Sequence, residues 1–166
     1  DPMALGREHH GVATHHRACP PAPEPNTLIK MTGKPGKKDQ VMINSFRGRH
    51  KATAGLWLTT VSMFSVTRHA AKKVLERILR TEMDAVRADA GADPVVAIDG
   101  CACIGSDTSL IAELGARVVA VEYDAKNSRA LEHNVEALGL SPTVTAVPGD
   151  IVEVLRSPRD HHNAGA

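Results

Sequence analysis

The chain has 166 residues, 42% of them apolar and 23% charged, with a formal net charge of +1. That is enough for one domain with a tail, and a charge so close to zero argues neither for nor against a polyanionic partner. Aromatic residues make up only 2%, so the core has to be aliphatic.

The three cysteines are Cys19, Cys101 and Cys103. An odd number, with two in one loop, does not resemble a disulfide framework, and an intracellular protein of the nucleus or cytoplasm is expected. No apolar run is long enough to span a bilayer and no secretory leader is visible, so no membrane association is expected.

Residues 1–38 show no apolar periodicity and contain the cluster Cys19-Pro20-Pro21-Ala22-Pro23-Glu24-Pro25. Proline removes backbone donors and fixes φ, so an extended or disordered arm is predicted. His9, His10, His15, His16 and Cys19 lack a second cysteine or a carboxylate at ligand spacing, so no metal site is assigned. Lys30, Lys34, Lys37, Lys38, Arg47, Arg49, His50 and Lys51 form a basic stretch. It is either a solvated linker or a contact for nucleic-acid phosphates.

Residues 39–63 read as a lead-in segment. Gln40 to Phe46 fits a short strand or turn, and Gly55 to Met63 is apolar and β-branched. Trp57, the single tryptophan, is either a packing anchor or a flat surface for a base. A long helix follows, with Thr67 as its expected N-cap. Ala70, Ala71, Val74, Leu75, Ile78, Leu79, Met83 and Val86 recur at three- and four-residue spacing and mark its apolar face. Gly91 and Pro94 end it.

From Val95 the pattern alternates between β and α. Strands are predicted at Val95–Asp99, Arg117–Glu122 and Thr143–Val147. Helices are predicted from about Thr108 to Leu114, from about Ala125 to Leu138, and from Ile151 onward. Gly115 and Gly139 close the first two. Such alternation specifies an α/β fold with a parallel sheet, here of about three strands. Ligands of such sheets bind outside the carboxyl ends of the strands. Asp99, Glu122 and Asp150 all fall at those ends. Residues 157–166 are a polar tail.

The order strand, small-residue loop, helix, strand, acid fits a nucleoside cofactor. The loop Gly100-Cys101-Ala102-Cys103-Ile104-Gly105-Ser106-Asp107 lacks the third glycine of a dinucleotide fingerprint, and Asp107 at the helix start would repel a pyrophosphate. S-adenosyl-L-methionine carries no phosphate and bears positive sulfonium and amino groups, so the charges favour it over NAD. Glu122 would then hold the ribose and Asp150 the adenine amino group. Taken singly, each has a lesser alternative: Asp99 as a cap for a neighbouring helix, Glu122 as a solvated strand end, and Asp150 as an N-cap of the helix that follows it.

Phe64-Ser65-Val66-Thr67, then Ile98-Asp99-Gly100-Cys101-Ala102-Cys103-Ile104-Gly105, Val121-Glu122-Tyr123-Asp124, His133-Asn134-Val135-Glu136-Ala137-Leu138-Gly139 and Pro148-Gly149-Asp150 together resemble the RNA cap guanine-N2 methyltransferases, the trimethylguanosine synthase family. The resemblance covers about Met63 to Leu155. It implies an incomplete Rossmann-like sheet of the class I S-adenosylmethionine-dependent methyltransferase type over 64–156. It also implies methyl transfer to the exocyclic amine of a 7-methylguanosine cap, with capped RNA as the partner. In that reading Asp99, Gly105, Glu122 and Asp150 bind the cofactor, and Val66 and Thr67 edge its pocket. Gly100, Cys101, Cys103, Thr108, Tyr123 and Ile151 complete it, and no catalytic residue is assigned.

The chain departs from the family in three places. Cys103 stands where the family has glycine, and Met63 where it has tryptophan. The family's segment of an aspartate, two prolines and a guanine-stacking aromatic residue has no counterpart, and Ser157-Pro158-Arg159-Asp160 is no substitute. The expectation is therefore a truncated methyltransferase lacking its catalytic half, or a non-catalytic relative serving as a binding or structural component. An oligomer or partner protein is expected to cover the incomplete sheet.

Overall fold

The computed structural model describes residues 26–31, 44–46 and 55–156. Among these, two strands precede the predicted α/β unit: β1 (Leu28–Lys30) pairs antiparallel with β2 (Trp57–Thr59). Within the segment expected as an extended or disordered arm, Leu28–Lys30 is extended and paired in a ladder. Leu28 and Ile29 explain it, because their side chains pack against the core and the strand edge of β2 takes up their backbone groups. The lead-in continues through a one-turn helix, α1 (Ser62–Ser65). The segment expected as a strand or turn near Phe46 contributes a helical turn, with Phe46 fully buried. The polar tail, the histidine groupings and nearly all of the basic stretch lie outside the described residues.

Helix α2 (His69–Ala90) ends where glycine predicted: Gly91 takes φ 62° and its N–H bonds the carbonyl of Arg87. Its start is corrected. Arg68, not Thr67, flanks the first turn, and no side chain caps it. The Thr67 hydroxyl donates instead to Asp107 Oδ2, across to the next helix. The apolar face also divides. Met83 is buried and Leu75 and Leu79 are half-buried, whereas Val74, Ile78 and Val86 face solvent.

The α/β unit runs β3 (Val96–Asp99), α3 (Ser106–Glu113), β4 (Arg117–Glu122), α4 (Ala125–Ala137), β5 (Val144–Pro148) and α5 (Ile151–Arg156). Its sheet is parallel, three-stranded and ordered β3-β4-β5. Helix α3 begins two residues earlier than expected, because Gly105 at φ 89° turns the chain directly into it. A Cβ on Gly105 would stand 2.8 Å from Leu131 Cδ1, so glycine also permits the close approach of α4.

Register fixes the faces. Ala97, Val118, Ala120, Val144 and Ala146 point to one side, where α3 and α4 close the main core with Ile104, Leu131 and Val135. Val119, Val121 and Val147 point to the other, where α5 contributes Ile151 and Val154. Val96 and Ile98 share that second face and remain half exposed. A parallel sheet ordinarily has both faces covered, so this one is covered on one side and at one end of the other. Among the described residues the outer edge of β3 pairs with no strand. No helix there is long and apolar enough to cross a membrane.

Two polar side chains bind the lead-in to the α/β unit. Buried Asn134 accepts the Trp57 N–H at 2.8 Å and donates to the carbonyls of Trp57 and Ile104, each at 2.9 Å. An amide carries a donor and an acceptor side by side, as a neighbouring strand does. Asn26 donates to Asp124 Oδ1 at 2.8 Å and to Asn127 Oδ1 at 3.0 Å. Trp57 is a packing anchor: His133 stacks on it at 4.1 Å between ring centroids, and the Lys30 ammonium lies 4.5 Å from its ring centre.

Candidate functional site

A hollow of about 320 Å³ opens at the carboxyl ends of β3, β4 and β5, at the lower end of the size that takes a small ligand. It is lined by Gly100 and Cys101 after β3, Glu122 and Tyr123 after β4, and Gly149, Asp150 and Ile151 after β5. Two carboxylates and no Lys or Arg are among these residues. Gly100 is required for the shape, since a Cβ there would meet Ile151 Cγ1 at 2.9 Å.

Glu122 is buried and built into the loop beside it. Its Oε2 accepts the Cys103 N–H at 2.7 Å, and its Oε1 accepts the Asp124 N–H at 2.8 Å. A carboxylate offers about four lone-pair sites, so acceptor capacity toward the hollow remains. Asp150 caps α5: its Oδ1 accepts the Val152 N–H at 2.8 Å. The capping reading and the lining of the hollow thus hold together for this residue. Gly149, unassigned in the sequence, ties the ends of β4 and β5 by donating its N–H to the Glu122 carbonyl at 3.0 Å.

Asp99 lies differently. Its Oδ2 accepts the Thr108 hydroxyl at 2.6 Å, and it is not among the residues that line the hollow. Burial pushes its carboxyl above the usual aspartate range, against the pull of the Thr108 bond. Of the three strand-end acids, Glu122 and Asp150 line the hollow, while Asp99 bonds Thr108 in the first turn of α3. Thr108, Gly105 and Cys103 do not line the hollow either, and are buried or half-buried. Cys103 holds φ 51°, a left-handed conformation, and its half-buried side chain packs on the core. Burial, with Glu122 nearby, pushes its thiol up to about 12.

Val66 packs on the core, and Thr67 reaches Asp107; neither lines the hollow. Lys72, near the start of α2, is buried. Its ammonium bonds the Ser106 carbonyl and stands 3.5 Å from Asp107 Oδ1. Burial lowers its pKa, and Asp107 opposes that. Thr67, Lys72 and Asp107 together clamp α2 onto the first turn of α3. The one signal in the sequence for this was spacing: Leu75, Leu79 and Met83 follow Lys72 at three, seven and eleven residues, on the same side of the helix.

No protein-family model matches this sequence, and no curated protein matches it either.

Proposed function

We propose that the hollow at the strand ends receives the adenosine part of S-adenosyl-L-methionine, and that the chain carries the cofactor-binding half of a class I methyltransferase resembling the RNA cap guanine-N2 enzymes. The observation that carries this reading is the lining itself: Glu122 and Asp150 with no basic residue. Such a lining favours a ligand with positive charge and hydroxyl donors, and disfavours a phosphate. Gly100 lets the backbone come close, and Glu122 faces the hollow at the end of β4, where a ribose would sit.

In the proposed reaction, the amine of 7-methylguanosine on a capped RNA displaces the methyl carbon from the sulfonium in line. The contribution asked of this chain is to hold the cofactor in one orientation. The guanine half of the site has no candidate among the residues that line the hollow.

Calorimetric titration tests the proposal. S-adenosylmethionine or its demethylated product is expected to bind and NAD is not. Glu122→Gln is expected to weaken binding by about 1–3 kcal/mol, the loss of a charge-assisted bond. Binding of NAD in preference, or an unchanged affinity in Glu122→Gln, would remove this reading. A non-catalytic binding or structural role is the second reading, and one observation favours it. Cys103 holds φ 51°, a left-handed conformation that glycine adopts without strain, in the loop that would carry the cofactor. Under either reading no methyl transfer to a cap analogue is expected from this chain alone.

A further inference from the structure

Helix α2 spans 22 residues, about 33 Å of helix, yet packs chiefly on the eight-residue α3. Its inner stripe carries Met83, buried in the main core, and half-buried Leu75 and Leu79. A second stripe lies outside: Ala71, Val74, Ile78, Thr81, Ala85 and Ala88 all face solvent. Val74 is 48% exposed and Ile78 51%, too much for side chains that belong to this chain's own core. Their spacing of three and four, sustained over the helix, is the a/d repeat of a coiled-coil seam.

The charges on α2 run against its own dipole. Its start carries Arg68, Lys73, Arg77 and Arg80, and its end carries Glu82, Asp84 and Asp89. A helix alone prefers acids at its start and bases at its end. Glu76 and Arg87, which break the trend, pair with Arg80 and Asp84, which leaves Arg68, Lys73 and Arg77 toward the start and Glu82 and Asp89 toward the end, with Asp84 shared between Arg87 and the other copy. A second α2 laid antiparallel makes sense of the arrangement, since it sets a basic half against an acidic half twice. In the register that stacks Val74 and Ile78 on Ala85 and Thr81 of the other copy, Arg77 falls beside Asp84 and Arg68 beside Asp89.

We propose that two copies of this chain associate through an antiparallel, two-fold pairing of α2 along this seam. The small residues at four of the six seam positions let the helices approach closely, and charge sets their direction. The free edge of β3 stays outside the interface.

Sedimentation equilibrium over the micromolar range reads the result. The wild-type chain is expected as a dimer that loosens with salt. Ile78→Glu is expected to raise the dissociation constant by about tenfold or more. A double variant Arg68→Glu with Arg77→Glu, and another Asp84→Lys with Asp89→Lys, are each expected to be monomeric alone and to pair when mixed. Because these side chains face solvent, thermal melting of each variant is expected to stay close to that of wild type. A monomeric wild type, or a dimer indifferent to Ile78→Glu and to both charge reversals, overturns the proposal.

Discussion

The Cys103 N–H points at Glu122 Oε2, 2.7 Å away, so the loop after β3 is held by the side chain that ends β4. The acid that faces the hollow is therefore also a structural acceptor for two backbone donors, those of Cys103 and Asp124. Glu122→Ala is expected to cost about 2–4 kcal/mol by leaving both donors without a protein partner. Glu122→Gln keeps one acceptor oxygen and is expected to cost about half as much. Urea denaturation of both variants decides this, and equal losses would show that the two bonds do not stabilise the fold.

Asn134 is the point at which the lead-in strand is fastened to the α/β unit. Its side chain bonds the N–H and carbonyl of Trp57 and the carbonyl of Ile104. Asn134→Leu fits by volume but strands those groups in a buried place, and a loss of about 3 kcal/mol is expected. Asn134→Asp is expected to be at least as harmful, because a carboxylate would face two carbonyl oxygens. Chemical denaturation with tryptophan fluorescence suits the test, since Trp57 is the single tryptophan and sits at the joint.

Asp124 gives the fold an acid-sensitive contact. It caps α4 by accepting the N–H groups of Lys126 and Asn127, and it also accepts from Asn26. Burial pulls its carboxyl upward, but the Asn127, Asn26 and Lys126 bonds outweigh that and hold it below the usual range. A depressed folded pKa means the unfolded chain takes up the proton first. The contribution is complete above the ordinary aspartate value of about 3.9 and is lost as pH falls through the lower folded value. Asp124→Asn keeps a good cap and does not titrate. Its stability is expected to fall less steeply than wild type in that acidic window, as read by denaturation at a series of pH values. Parallel curves would remove Asp124 as the source.

The two loop cysteines are expected to differ in reactivity despite sitting one residue apart. Cys101 is exposed, whereas the Cys103 thiol is half-buried and pushed up to about 12. Thiolate is the reactive form, so Cys103 is expected to alkylate on the order of 100-fold more slowly at neutral pH. Peptide mapping after timed iodoacetamide treatment separates the sites. Comparable rates would mean the loop opens readily.

Lys72 and Asp107 are expected to be coupled. A buried ammonium and a carboxylate 3.5 Å apart each lose a partner when the other is removed. The single changes Lys72→Met and Asp107→Asn are each expected to destabilise, and the double change by less than their sum. A coupling of about 1–2 kcal/mol is expected in a double-mutant cycle. Additive effects would place the stabilisation in the Ser106 and Thr67 bonds instead.

Local pattern was sufficient for much of the fold. Arg117–Glu122 is a strand and Gly91 a helix end because β-branched runs and a left-handed glycine act within a few residues. The strand-end positions of Asp99, Glu122 and Asp150 follow from the same alternation. Which partners those carboxylates take was decided elsewhere: Asp99 accepts the Thr108 hydroxyl, while the approach of Ile151 to Gly100 shapes the hollow beside Glu122 and Asp150. The pairing of β1 with β2, the Asn134 bridge and the burial of Lys72 join residues 27 to 77 positions apart or belong to a helix with two apolar stripes. Helical periodicity states that a stripe exists. Only packing determines which stripe is buried, because the choice depends on where α3 lies.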